Sequence, residues 1–327
     1  MAKNDAELSP SDKARMSRVG FLLIPGFPLM SYASAIEPLR AANVLTGRVL
    51  YRWRHISIQG QEVVASNGVR IQADATIADI GRMDTIIVCA GGNPQRFRHP
   101  GTMAFLRKVA RHGVRLGGVS AGPFLLARAG VLEGYRCTLH WEHIPAFTEI
   151  FPFLHLSHAL FEIDRDRFTC AGGIAALDMM HALIRIDHGA RVAADVSDWF
   201  LQTEVRRGEV AQRLSPTERF GVHHPKLVIV LSRMEASVET PLSPRRLARH
   251  AGVSVRQLER LFAKYLRTTI MRRYAQMRLE RARLLLRQSS MPIGEVAAAT
   301  GYGTPANFSR AYRLQFGRTP RQERLVE

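Results

Sequence analysis

The sequence predicts an α/β amino-terminal domain built on a parallel sheet, followed by an all-α carboxyl-terminal domain with two helix-turn-helix motifs. Three observations carry that expectation. Short apolar runs alternate with helical stretches from Val19 to Val205, a helix-turn-helix pattern occurs twice between Leu242 and Pro320, and positive charge gathers at that same end. The formal net charge of the 327 residues is +18, and residues 241–327 carry +13 of it, from 18 Lys and Arg against 5 Asp and Glu.

Residues 1–18 are polar and mixed in charge, and they read as a disordered tail. Val19–Ile24 is a continuous apolar run stopped by Pro25, which suits a strand buried on both faces. Leu29–Leu45 reads as a helix, Tyr51–Ile58 as a strand, and Glu62–Ile71 as a hairpin turning at Asn67-Gly68, where positive φ is cheap. Thr85–Cys89 and Arg115–Val119 are further strands, each leading to a helix, Thr102–His112 and Ala121–Ala129. Leu154–Ile163 and Arg167–Cys170 read as strands, and Ile174–His188 and Val192–Val205 as helices. Strands alternating with helices argue a parallel sheet covered on both faces. This first domain spans 19–207; a linker takes 208–225, and a second domain of 226–327 opens with a helix over Leu227–Glu239.

In the first helix-turn-helix copy, about 243–266, Leu247, Ala248, Gly252, Leu258 and Phe262 mark two short amphipathic helices around a Gly-Val-Ser turn. In the second, about 292–316, Val296, Ala297, Gly301, Phe308 and Tyr312 hold the same places, with one extra residue in the turn. A small residue at the crossing lets the helices approach, and glycine takes positive φ at the turn. Ser254 and Thr304 are N-cap residues, and Pro305 suits a first helical position. With Leu258, Leu261 and Phe262 facing inward, Arg256, Gln257 and Arg260 face outward, where such side chains read guanine and adenine edges. Phe308, Tyr312 and Phe316 likewise leave Asn307, Arg310 and Arg313 outward, beside Thr304. Met271–Gln288 reads as one helix joining the two readers, with Met277, Leu279, Ala282, Leu285 and Leu286 buried.

A basic excess this concentrated is the footprint of phosphate neutralisation. RNA or an acidic membrane would also attract it, and a helical bundle with a solvated basic face is the plain alternative. None of these accounts for two turns in register. Cys89, Cys137 and Cys170 are odd in number and form no C-x-x-C pair, which suits a reducing cytoplasm. The early apolar run Val19–Met30 is broken by Pro25 and Pro28, so neither a signal peptide nor a membrane span is expected.

In a parallel sheet, ligands bind beyond the carboxyl ends of the strands. Three glycine loops stand there: Ala90-Gly91-Gly92-Asn93-Pro94, Gly118-Val-Ser120-Ala121-Gly122 and Ala171-Gly-Gly173. The second satisfies the G-x-S-x-G nucleophile elbow. His140, His143, His155, His158, His181 and His188, with Asp164, Asp178 and Asp187, are enough to assemble a triad on paper, so a serine hydrolase or amidase using Ser120 is the rival reading. His140 and His143 lack a helix-spaced third ligand, and no metal or cofactor is expected.

Residues 241–324 resemble the AraC/XylS DNA-binding domain. The likeness is carried by Leu247-Ala-x3-Gly-Val-Ser-x-Arg-x-Leu-x-Arg-Leu-Phe262, by Arg278-Leu-Glu-Arg-Ala-Arg-Leu-Leu285, and by Gly301-Tyr to Phe308-Ser-Arg with Phe316-Gly-Arg-Thr-Pro320. It implies two readers in successive major-groove segments of promoter DNA. Arg267 and Ile270 stand where that family usually has glycine and proline, and Arg273 and Glu323 where it often has tyrosine.

Residues 19–200 resemble a flavodoxin-like, class-I glutamine amidotransferase-like domain of the PfpI type. The likeness rests on Leu23-Ile-Pro-Gly-Phe27, Ala35-Ile-Glu-Pro-Leu39, Ser66-Asn-Gly68, the elbow with Phe124-Leu-Leu-Ala127, Ala129-Gly-Val-Leu132, Thr138-Leu-His-Trp-Glu142 and Ala171-Gly-Gly173. Enzymatic relatives carry a cysteine at the elbow and an acid after the first strand, where this chain has Ser120 and Ser31. Losing both removes the usual activation of a nucleophile. The resemblance implies a sensor domain without catalytic residues. Regulators fused in this way include sensors of carnitine, glycine betaine and arginine, and Leu139-His-Trp-Glu142 with Phe161-Glu-Ile-Asp164 is most similar to the first two. Trp141 suits a cation and the glycine loops a carboxylate; core packing is the competing role for Trp141. The expected effector site is Gly91, Gly92, Ser120, Ala121, His140 and Trp141. The expected partners are double-stranded promoter DNA, a small-molecule effector, RNA polymerase and a second copy of the chain.

Overall fold

The computed structural model describes residues 16–288 and 291–325. It divides into two compact units between Gln212 and Arg213.

The first unit is built on seven strands in the order β10-β11-β7-β6-β1-β2-β5. These are β1 (Ser17–Leu23), β2 (Tyr51–Ser57), β5 (Ala75–Thr76), β6 (Thr85–Ala90), β7 (Arg115–Ser120), β10 (Phe161–Asp164) and β11 (Arg167–Cys170). All pair in parallel except β10 with β11, which run antiparallel at the edge. β1 and β6 hold the centre because their residues are apolar on both faces. Phe21 and Leu23 pack into a cluster with helices α1 (Leu29–Thr46), α5 (Ala175–His188) and α6 (Ala190–Trp199). Leu22 and Val88 pack into the opposite cluster, with α2 (Pro100–Arg111), α3 (Gly122–Arg128) and α4 (Ile144–Ile150). A separate antiparallel hairpin, β3 (Glu62–Val64) with β4 (Arg70–Gln72), turns at Asn67-Gly68 as expected. The short pair β8 (Arg136–Cys137) and β9 (His155–Leu156) lies outside the main sheet.

Several expectations need correction. The strand read over Leu154–Ile163 is two strands in different sheets, β9 and β10. The helix read over Val192–Val205 stops at Trp199, and Leu201 has φ 55°, a left-handed conformation that a helix cannot continue through. The linker read over 208–225 is not free chain: 208–212 hydrogen-bonds within the first unit, and 216–220 form helix α7 with a Ser215–Glu218 capping box. Ser17 and Arg18 belong to β1 rather than to a tail, while residues 1–15 lie outside the described residues.

The second unit comprises α7 (Pro216–Phe220), α8 (Pro225–Ala236), α9 (Pro244–His250), α10 (Val255–Leu266), α11 (Ile270–Gln288), α12 (Ile293–Ala299), α13 (Pro305–Phe316) and α14 (Pro320–Arg324). The connector α11 serves two cores. Its Ile270, Tyr274 and Met277 pack with α8, α9 and α10, and its Leu279, Ala282, Leu285 and Leu286 pack with α12 and α13. Arg278 stands at the changeover and donates to the carbonyls of Thr300 (2.7 Å) and Gly301 (2.6 Å), which end α12. Glu323, fully buried, accepts from Arg283 (3.0 Å) and Arg287 (2.7 Å) of α11 and so ties α14 to the connector. No helix among the described residues is long and apolar enough to cross a membrane.

Candidate functional sites

In the second unit both turns are made by glycines at positive φ, Gly252 (62°) and Gly301 (73°). Each second helix starts with a side-chain cap. The Ser254 hydroxyl accepts the Gln257 N–H while Gln257 Oε1 returns to the Ser254 N–H (3.0 Å), and the Thr304 hydroxyl accepts the Asn307 N–H (3.3 Å). Two of the predicted readers therefore already have work: Gln257 and Thr304 hold helix starts. The other five, Arg256, Arg260, Asn307, Arg310 and Arg313, are exposed. The side chains of the four arginines among them make no hydrogen bond or ion pair among the described residues, so their guanidinium groups face solvent.

In the first unit the chain passes from β7 into α3 at Ser120, whose φ is 59°. That left-handed conformation is costly for a residue with a Cβ and is the geometry of a nucleophile elbow. The turn is held from three sides. The Ala121 N–H donates to Ala90 O (2.9 Å) and the His140 N–H to Ser120 O (3.2 Å), so the glycine loop after β6 and the segment after β8 meet at the elbow. From the third side comes Gly172 at φ 89°, where a Cβ would lie 2.7 Å from Ser120 Cβ and 2.8 Å from Ser31 Oγ. Only glycine fits this approach. Ser31, buried in the first turn of α1, accepts the Gly173 N–H at 2.7 Å.

The predicted residues Gly91, Ser120, Ala121, His140 and Trp141 thus come from loops gathered at the carboxyl ends of the strands. Gly92 is exposed at φ 60°, and Gly91 backs onto Pro28, whose Cδ a Cβ would approach to 2.7 Å. Ser31, Gly172 and Gly173 complete the constellation. The family resemblance marked Ser31 as an acid position and the chain pattern marked the glycine loop, but neither could bring together Ser31 and Gly173, 142 positions apart.

His140 is partly buried, and burial lowers its pKa against the opposing pull of Glu142, whose carboxylate lies 3.9 Å from Nδ1. Nδ1 accepts the Glu142 N–H (3.4 Å), consistent with a neutral ring. The Trp141 ring lies 5.5 Å from that of His140 and also packs against the apolar cluster on the α3 face, so it combines a core role with a partly open one. The thiols nearby are inert. Cys170, in register with Val119 of β7, is fully buried and its pKa is pushed up to about 12; burial raises that of Cys89 as well. Among the described residues no group of three or more His, Cys, Asp or Glu is arranged to hold a metal ion. A cleft of about 350 Å³ at the ends of β1 and β2, lined by Pro25, Ser57, Glu62, Phe97 and Arg98 among others, shares no residue with the predicted effector site.

Comparison with known proteins agrees with both halves. Residues 17–185 match the DJ-1/PfpI family and residues 247–325 a helix-turn-helix domain. The chain is 45% identical over 311 residues to the HTH-type transcriptional regulator GlxA of Rhizobium meliloti, covering 95% of this chain and 96% of that one. It is 45% identical over 315 residues to the HTH-type transcriptional regulator GbdR of Pseudomonas aeruginosa, covering 96% and 86%. The crystal structure of an AraC family transcriptional regulator from Pseudomonas putida superposes with a TM-score of 0.53 at 30% identity, over 56% of this chain and 99% of that one. The chain belongs to the AraC-type DNA-binding transcription regulators that carry an amino-terminal DJ-1/PfpI domain.

Proposed function

We propose that this regulator is an activator controlled by a small nitrogenous metabolite, of the carnitine, glycine betaine or amino-acid kind, bound without chemistry at the elbow of its first unit. The observation that carries this reading is the Ser31–Gly173 hydrogen bond beside a strained Ser120. The elbow geometry is kept, at a conformational cost, while neither a thiolate nor an acid stands at the positions that would activate a nucleophile. Strain kept without catalysis supports a binding role. The partly open Trp141 face suits an ammonium group, and the N-terminus of α5 with its glycine loop suits a carboxylate. Double-stranded promoter DNA, RNA polymerase and a second copy of the chain are its partners in this reading, and the cytoplasm its place. The effector acts by binding one arrangement of the protein better than the other.

A thermal-shift screen with carnitine, glycine betaine, dimethylglycine and arginine tests the proposal. A ligand at a hundred times its Kd adds about 2.7 kcal/mol of stability. A panel without any shift would remove this effector class. The rival reading, a serine hydrolase or amidase, draws on the same positive φ at Ser120 and on a neutral His140 in the adjoining segment.

A further inference from the structure

We infer that residues 202–212 form the output arm of the effector site, fastened at two points to the elements that build it, and that Gln212 is its releasable clamp. The inference rests on the reading that an effector binds at the elbow.

The first fastening is Asp178, fully buried in the first turn of α5, the helix that follows Gly172-Gly173. Its Oδ2 accepts both Nε (3.0 Å) and Nη2 (2.6 Å) of Arg206. Its Oδ1 accepts the Arg206 N–H (3.0 Å) and Gln202 Nε2 (2.8 Å). A movement of the α5 N-terminus therefore carries this part of the arm with it.

The second fastening adjoins the segment that bears His140 and Trp141. Gly208 O accepts the Leu160 N–H (2.7 Å), and Ala211 bridges to Ala159. A Cβ on Gly208 would lie 2.7 Å from the Phe161 carbonyl oxygen, so the arm runs flush against β10. Gln212 Nε2 then donates to Thr138 Oγ1 (2.9 Å), Leu139 O (3.0 Å) and Ala159 O (2.8 Å), three acceptors for two hydrogens. Its Oε1 is buried with no hydrogen-bond partner among the described residues.

The next residue is already committed elsewhere. Arg213 donates to Glu235 Oε1 on α8 (2.9 Å), and Glu235 also takes two hydrogen bonds from Arg219 (2.8 Å each). One peptide bond separates the last group fastened to the first unit from the first group fastened to the second. A displacement of 138–141 that opens the Gln212 clamp therefore bears on the residue next to it, the one that holds the Arg213–Glu235 anchor.

Hydrogen exchange on the full chain tests this without a known effector. Trp141→Ala disturbs the 138–141 segment, and Trp141→Phe does so more gently should the first variant fold poorly. Amides of 208–219 should exchange roughly five-fold faster or more. In a Gln212→Ala background the same disturbance should no longer reach 213–236, and Gly208→Val, which lifts the arm off Phe161, should act like Gln212→Ala. Exchange across 208–236 that ignores both Trp141 variants, or responds equally with and without Gln212, overturns the proposal. The effector reading is judged separately, by calorimetric titration of the wild-type protein with glycine betaine and carnitine, and its failure leaves the exchange result intact.

Discussion

The Ser31 hydroxyl accepts the Gly173 N–H at 2.7 Å, so the side chain that the family resemblance sets at the acid position of enzymatic relatives braces a glycine loop here. The Ser120 hydroxyl has no imidazole or carboxylate as hydrogen-bond partner among the described residues. Ser120→Ala is therefore expected to leave effector-dependent transcription within about two-fold of wild type, because it removes one hydroxyl and no activated nucleophile. An active-serine probe that labels the wild-type protein at Ser120 and not the variant would establish the hydrolase reading instead.

Trp141→Ala should weaken effector binding about ten-fold, the range of a partly desolvated cation–π contact, with Trp141→Phe intermediate. Calorimetric titration reads this directly. Equal affinity in all three proteins would reduce Trp141 to its packing role on the α3 face.

Arg310→Ala is expected to weaken promoter binding by one to two orders of magnitude while leaving effector affinity unchanged. A gel-shift titration at two salt concentrations also separates its contacts. An unchanged salt slope points to a base edge, and a slope reduced by about one to a phosphate. Unaltered affinity would show that α13 faces away from DNA.

Arg267 ends α10 in the left-handed region at φ 51°, where its family usually has glycine. Arg267→Gly should raise the unfolding free energy of the second unit by roughly 0.5–1 kcal/mol, because relief of left-handed strain outweighs the added chain entropy. Urea melts that show no gain would mean that contacts of the Arg267 side chain offset the strain.

Burial holds His140, His181 and His188 below the ordinary imidazole range. In the unfolded chain each takes up a proton near pH 6.5 while its folded counterpart stays neutral, so the unfolded state binds more protons below that pH. Stability of the first unit should thus be full above about pH 6.5 and fall as pH drops toward the folded values. Melting followed at pH 7.5 and 5.5 checks the sign, and His181→Asn should shrink the loss; a unit more stable at pH 5.5 would contradict it.

Much of the architecture was legible in the chain because local rules suffice for it. Apolar runs bounded by proline or glycine located β1, β6 and β7; hydroxyl caps and turn glycines located α10 and α13; the apolar stripe of Met277, Leu279, Ala282 and Leu286 located the connector. Tertiary structure alone decided the rest. It assigned Gln257 and Thr304 to capping, which outward-facing periodicity does not distinguish from base reading. It split Leu154–Ile163 between two sheets, since strand pairing depends on partners far along the chain. It also brought Ser31, Ser120 and Gly172 within contact and seated Gln212 on Thr138. Those contacts join residues separated by 52 to 141 positions. Only packing across the sheet, whose energy no local pattern encodes, makes them neighbours.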